Sequence, residues 1–466
     1  MTQSITLIAY SILLCVAVVS LIKTYKKSGI LNSFVFFQSA FLVYYVIIPI
    51  ITILIISFTP DNLNRSLLRA SQVESISYYY ACLYTYISYF AFALFYKITS
   101  SKVNKNTLYD KTNNCEKTEK NGDVENEYYK ISKYKKSLKW GIITLSFGLF
   151  AEILVSISLG GIFSAIAMGE KLRAYGIDMG TYIPQNRLFS VVLMVSSLAS
   201  TYFFVYSYRL KKGFIVSILL IISILASTFY LFINAGRLGI LLFLMTFFID
   251  FSFRKFKRPF IIIFFSMVLF VLLLGTLDDL FFYLSYGYVK ESSTSIYSIV
   301  NEFAFPYVNL LNVQSINDIY GLRWGTDYFT WIINIVPTSI LSLFGLSKVT
   351  TGYHFITDYF IGNSASGGIP TDILTLGLRQ FGVLSLVLQS AILGILCKYF
   401  DKVIEKIHSK EYYFMTLRIS SIMFIIVPYA DLDSFIRNRY DMILVLIFAI
   451  IISKQVNKRK KILIKK

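Results

Sequence analysis

The sequence predicts an all-α, polytopic integral membrane protein with about eleven transmembrane helices and one large outer loop. Three observations predict this. Hydrophobic residues make up 56% of the 466-residue chain and charged residues only 15%, a balance that soluble domains do not carry. Apolar runs long enough to span a bilayer recur along the chain. The Lys residues collect in short segments between those runs, which is the positive-inside pattern. The net charge of +19 therefore reports membrane topology and not a nucleic-acid partner. No pair among the four cysteines has disulfide or metal spacing.

The elements follow in order. Ser4–Ile22 is the first span, and Lys23, Lys26 and Lys27 place its C-terminal end in the cytoplasm. The N-terminal stretch MTQSITLIAY has no basic n-region and no evident small-residue cleavage site, so this reads as a retained span. Leu31–Phe58 returns outward with Pro49 inside it, and Ser77–Tyr96 comes back in. Lys97–Lys139 carries 11 Lys and 6 acidic residues without apolar periodicity and reads as a polar cytoplasmic loop. Trp140–Leu159 goes out carrying Glu152, Gly160–Arg187 lies outside, and Leu188–Tyr206 comes in. Phe214–Asn234 and Ile240–Phe251 form a tight pair joined by the turn Ala235-Gly236-Arg237-Leu238-Gly239. Pro259–Thr276 leads out to the longest excursion, Leu277–Asp372. Within that loop, Trp331–Leu346 is apolar but has only 16 residues, with Pro337 among them, and reads as re-entrant or interfacial. Ile373–Tyr399, Tyr412–Ala430 and Met442–Ser453 complete the spans, and the basic tail stays inside. Residues 1–466 read as a single membrane domain.

Function is signalled by how Lys and Arg divide. The chain has 31 Lys and 14 Arg. On this topology only Lys171, Lys290 and Lys348 face outward, yet ten of the 14 Arg lie outside or within spans, among them Arg173, Arg237, Arg379, Arg437 and Arg439. Guanidinium holds phosphate or carboxylate through a planar fork of donors and keeps its charge when partly desolvated. Some of these residues have a plainer explanation. Arg173 lies three residues after Glu170, and Arg437 lies near Asp431, Asp433 and Asp441; exposed pairs of that kind contribute little. Arg379 and Arg418 fall inside apolar runs, where a charge is costly and usually functional. The outer loop also holds His354, one of two histidines, whose side-chain type suits proton transfer near neutrality. Glu302 and Asp358 are rival bases, and a surface histidine without a chemical role is the structural alternative.

Several of these segments resemble the Wzy-type oligosaccharide repeat unit polymerases, the O-antigen and capsule polymerase family. They are the Ala-Gly-Arg turn at 235–237, the Gly-Gly segment followed by a Glu-Lys-x-Arg run within 160–173, and the outer loop leading into GGIPTDILTLGLRQFG at 367–382. The fourth is the turn FIRNRYD at 435–441 before the last span. The resemblance covers most of the chain and rests on layout and short motifs. The turn RNRYD departs from the expected order of Arg, small residue and acid, so Arg437 and Arg439 both stand as the family's residue.

The resemblance implies a fold like the GT-C-type membrane glycosyltransferases and a metal-independent enzyme without a cofactor. Such an enzyme joins glycan repeat units carried on polyprenyl diphosphate at the outer face of the cytoplasmic (inner) membrane. The implied partners are the lipid-linked donor and acceptor glycans, membrane lipid and a chain-length regulator, with no nucleic acid. On this basis Arg237, Arg379, Arg437, Arg439 and Arg173 are expected to hold the diphosphate, with Arg237 and Arg379 converging on it. His354, or else Glu302 or Asp358, takes the acceptor proton. Tyr353, Tyr359, Phe360 and Trp324 could stack on sugar faces, although aromatics at a membrane interface also serve as belt residues. An O-antigen-type ligase and a flippase or exporter of lipid-linked sugars are the alternative classes.

Overall fold

Residue spacing decides which face of each helix is buried, and in this protein the apolar face points out. In α1 (Thr2–Ser28), Ile5, Ile8, Ile12, Val16 and Val19 recur every three or four residues and are exposed, while Thr6, Tyr10, Leu13 and Ala17 are buried. A soluble helix has the opposite arrangement. Further along the chain, the helix Phe214–Ile233 exposes Ile218, Ile221, Ile222 and Leu225 and buries Ser223 and Ser227. Apolar surface of this kind is at rest against lipid, and small and polar residues make the helix contacts.

The structure is a computed structural model. It describes residues 2–28, 33–59, 63, 65–99, 123–174, 188–234, 237–256, 259–288, 296–334, 336, 338–362, 369–405, 427–428, 440–445, 447–448 and 451. Among the described residues every regular element is helical, and six helices are long and apolar enough to cross a membrane: Thr2–Thr24, Ser33–Phe58, Ser75–Ile98, Ile131–Ser158, Phe214–Ile233 and Val383–Lys402. The protein is thus an α-helical, multi-pass membrane protein. Its contacts divide it into two compact units.

The first unit comprises Met1–Lys105, Ser293–Lys402 and Ser421–Arg437. After α1 come α2 (Ser33–Leu42) and α3 (Ile48–Phe58), joined without a break by a π-helical turn at Val43–Ile47. Pro49 falls in the first turn of α3, directly after that turn. A short α4 (Arg65–Ser71) and α5 (Ser75–Ile98) follow. The unit resumes with α13 (Ile296–Tyr320), α14 (Thr330–Asn334), α15 (Thr338–Leu343), α16 (Gly352–Ile361), α17 (Ile373–Phe381) and α18 (Val383–Glu405). Helices α5 and α18 approach so closely that a Cβ on Gly394 would lie 2.5 Å from the Phe92 carbonyl oxygen and 3.0 Å from the Tyr96 nitrogen. Backbone cannot yield as a flexible side chain can. Gly394→Leu should therefore destabilise the unit by about 3 kcal/mol or more; a thermal melt of the detergent-solubilised variant that matches the parent would contradict this packing.

The second unit comprises Asn106–Ser292, Val403–Ser420 and Asn438–Lys466. Its helices are α6 (Asp123–Ser158), α7 (Ile162–Ala174), α8 (Leu188–Met194), α9 (Ser196–Leu210), α10 (Phe214–Ile233), α11 (Arg237–Lys255) and α12 (Pro259–Tyr286). Ala151, Val155, Leu198, Tyr230 and Phe243 meet in its core.

Several boundaries differ from the sequence reading. The Lys-rich segment read as loop to Lys139 is helical from Asp123, with Asp123, Glu125 and Glu127 near its start, where the positive end of a helix dipole favours acids. The expected span Leu188–Tyr206 is interrupted at Val195. Leu277–Asp372 is largely helical: α12 runs on to Tyr286, and α13 and α16 occupy much of the rest. The apolar segment 331–346, expected to be re-entrant or interfacial, falls on two short helices, α14 and α15. Most important for the site, Ile373–Tyr399 is not one helix. Gly382 adopts φ +68°, a backbone conformation that L side chains rarely take, and it closes α17 before α18 begins. Arg379 accordingly lies in a short helix ahead of the apolar span Val383–Lys402 and not within that span. The expected span Tyr412–Ala430 lies almost wholly outside the described residues.

Candidate functional site

Helix α17 is set in place at both ends. At its start, Asp372 accepts hydrogen bonds from the backbone N–H groups of Leu374 (3.2 Å) and Thr375 (3.1 Å), as an N-cap should. The same carboxylate accepts from the Tyr45 hydroxyl at 2.8 Å, so the π-helical turn carries the residue that fixes α17. Asp372 has no exposed surface, and this burial raises its carboxyl above the usual carboxylate range while its hydrogen bonds oppose the shift. At the C-terminal end, the carbonyls of Arg379 and Gln380 accept from the N–H groups of Arg323 (2.7 Å) and Trp324 (3.2 Å). These bonds satisfy the orphan acceptors of a helix terminus and bring residues 323–324 against 379–380.

That pairing assembles a charged cluster. Arg379 has no exposed surface, and among the described residues none of its three guanidinium nitrogens has a hydrogen-bond partner. Its Cζ lies 5.1 Å from the centre of the Phe355 ring, and the Cζ of Arg323 lies 4.6 Å from the same centre. Arg323, by contrast, has partners: its Nε and Nη2 donate to Asp327 at 3.2 Å, and Nη2 also donates to the Thr350 carbonyl at 2.8 Å. The second oxygen of Asp327 accepts from the Gln380 amide at 2.9 Å. Asp327 is thus engaged twice, and its charge is shared between two arginines. Burial pushes the Arg379 guanidinium down to about 10, with Asp327 opposing the shift and Arg323 adding to it. The aromatic face and the C-terminal dipole of α17 each stabilise a cation by roughly 1 kcal/mol, well short of the several kcal/mol that desolvating a guanidinium costs. An anion placed here would meet unused N–H donors in a dry setting.

Helix α16 supplies the neighbouring groups. The Asp358 carboxylate, three residues after Phe355, accepts from the Tyr320 hydroxyl at 2.6 Å. That bond holds the Tyr320 phenol above its ordinary range, so it remains a donor. The Tyr320 ring meets Phe355 edge-on at 5.4 Å. The close approach of α16 needs Gly352, where a Cβ would stand 3.0 Å from Thr371 Oγ1 and 3.3 Å from Asp327 Oδ2. At the edge of the cluster, Trp324 has φ +51° and is 69% exposed, with its ring 5.7 Å from that of Phe381. A bulky residue held in left-handed backbone and presented to the outside marks stored strain of the kind found at ligand sites.

The residues singled out in the sequence fare differently. Arg379, Asp358 and Trp324 lie in or beside this cluster. His354 is exposed, and its Nδ1 lies 3.1 Å from the Thr351 hydroxyl. Tyr353 packs edge-on against His354, and Tyr359 and Phe360 pack together one turn away. Glu302 is in α13, Arg173 in α7 and Arg237 at the first position of α11, but their side chains lie outside the described set. Arg437 and Arg439 lie outside the described residues altogether. The expected meeting of Arg237 with Arg379 thus rests on side chains that are not all described. From the sequence Arg323 was one of the ten arginines outside or within spans, without a place in the site, and Asp327, Gln380 and Phe355 were missed. The i,i+4 spacing of Arg323 and Asp327 was a local signal, whereas their meeting with residues 379–380 is long-range. In the comparisons with known proteins, no family model, curated protein or solved structure matches this chain.

Proposed function

We propose that this protein is a membrane glycosyltransferase that polymerises oligosaccharide repeat units carried on polyprenyl diphosphate. It acts at the outer face of the cytoplasmic membrane and crosses that membrane about eleven times. The observation that carries the proposal is Arg379, buried beside Arg323 at Phe355 with no guanidinium donor used among the described residues. A lipid diphosphate supplies the anion that this cluster lacks, and the Lys distribution turns the segment outward. The resemblance to Wzy-type polymerases drawn from the sequence motifs points the same way.

The chemistry assigned to the site is a single displacement. The acceptor hydroxyl oxygen bonds to the anomeric carbon of the donor while the bond from that carbon to the diphosphate oxygen breaks. The hydroxyl proton passes to the Asp358 carboxylate, which the Tyr320 hydroxyl orients. Arg379 holds the negative charge that develops on the leaving diphosphate, and Arg323 adds positive potential. The strained, exposed Trp324 offers a face for a sugar ring. His354 and Glu302 are the other candidate bases.

Deleting the gene and complementing it tests the proposal. A polymerase leaves lipid-linked single repeats at the outer face and no long surface glycan. A ligase leaves long glycan still attached to the lipid carrier. A flippase leaves single repeats facing the cytoplasm. Either of the last two outcomes replaces the proposed function.

A further inference from the structure

Glu152 is a carboxylate placed in the body of a membrane-spanning helix, and the chemistry proposed above does not use it. It lies within the span Ile131–Ser158, about 9 Å along the helix axis from its C-terminal end. Only 4% of its surface is exposed. One carboxylate oxygen accepts from the Ser197 hydroxyl at 2.6 Å. One turn further along α6, on the same face, the Ser156 hydroxyl is buried and has no hydrogen-bond partner among the described residues. Ser197 itself sits just after the interruption between α8 and α9, where Gly148 admits it: a Cβ on Gly148 would fall 2.2 Å from the Ser197 hydroxyl.

A carboxylate at this depth needs a cation, because one hydroxyl donor does not repay the cost of taking the charge out of water. Among the described residues no Lys or Arg side chain pairs with it. Of the elements packed on α6, α8 carries no ionisable residue, α10 brings Tyr230, and α9 brings Tyr202, Tyr206, Tyr208 and Arg209. Arg209 stands about three turns along α9 from Ser197. Helix α7 carries Glu170, Lys171 and Arg173, whose side chains lie outside the described set. The chain segment bearing Tyr440 also reaches this unit's core.

We infer that Glu152, with Ser197 and Ser156, forms an intramembrane proton-binding site that reversibly bridges α6 and α9. Four side-chain oxygens, two from Glu152 and one from each serine, fall short of the six or more that hard divalent cations take, whereas a proton needs one. The bound proton sits on the carboxyl and is released to leave the carboxylate, with no other bond made or broken. The inference is independent of the proposed transferase activity.

The test uses dicyclohexylcarbodiimide, an apolar reagent that reacts with the protonated carboxyl, on the full-length protein in native membranes, with adducts located by peptide mass spectrometry. Glu152 should be labelled near neutrality, lose the label as pH rises, and show none in Glu152→Gln; sodium at constant pH should not protect it. Absence of the adduct at every pH between about 5 and 8 overturns the inference, as does protection by sodium. Thermal melts give a second readout. Glu152→Gln, which keeps the shape of the neutral acid, should melt with the parent. A large drop would mean that Glu152 is ionised and paired with a cation such as Arg173, and would equally overturn the inference.

Discussion

Arg379→Lys should reduce polymer formation by about 100-fold or more at normal protein level, because lysine keeps the charge but loses the planar fork that grips a diphosphate. Arg379→Met sharpens the expectation. If Arg379 were structural, the variant would melt early. A guanidinium buried without hydrogen bonds costs free energy in the resting protein, so an apolar side chain of similar length should leave stability unchanged or raise it by about 1–4 kcal/mol. Loss of polymer together with retained or increased thermal stability is the signature of a ligand-binding arginine. Polymer length and amount, read beside the melt of the same preparation, check both halves. Near-normal polymer in Arg379→Lys would make the residue structural.

Asp358→Asn should lower the rate by about 10²–10⁴-fold, the range for losing a positioned general base. His354→Ala should change it less than about threefold, since the exposed imidazole contributes no proton transfer in this scheme. The assignment follows from placement. Asp358 is three residues from Phe355 on α16, and its partner Tyr320 touches the same ring, whereas His354 is bonded to Thr351. Tyr320→Phe should retain part of the activity, as it removes orientation and not the base. Lipid-linked single repeats should accumulate in Asp358→Asn. The opposite pattern, with His354→Ala inactive and Asp358→Asn active, moves the base to His354. Loss confined to Glu302→Gln moves it to Glu302.

What the sequence made legible was whatever depends on local composition. The helical, membrane-spanning character follows from run length, and the exposed isoleucines of α1 and α10 agree with it. Arg379 could be singled out because a charge beside apolar residues needs a reason wherever it lies. Its exact setting was not legible. Gly382 reads as an ordinary glycine in an apolar stretch, and only its φ of +68° reveals that the helix ends there. The break at Val195 has no Gly or Pro to mark it. The partners of Arg379 were hidden for a different reason. Arg323 and Arg379 meet because the carbonyls ending α17 need donors, and residues far away in the chain supply them. Such a contact has no periodicity to betray it. Tyr45 is a similar case: it lies more than 300 residues from Asp372, yet its hydroxyl fixes the helix that carries Arg379.

The most direct measurement of the central claim is a reaction with purified protein in liposomes, given polyprenyl-diphosphate-linked single repeats. Glycans of increasing length should form, with one polyprenyl diphosphate released for each new linkage, and Arg379→Lys should abolish both together. Repeats that cross the bilayer without a new glycosidic bond, or an Arg379→Lys protein that forms polymer at the parental rate, would contradict it.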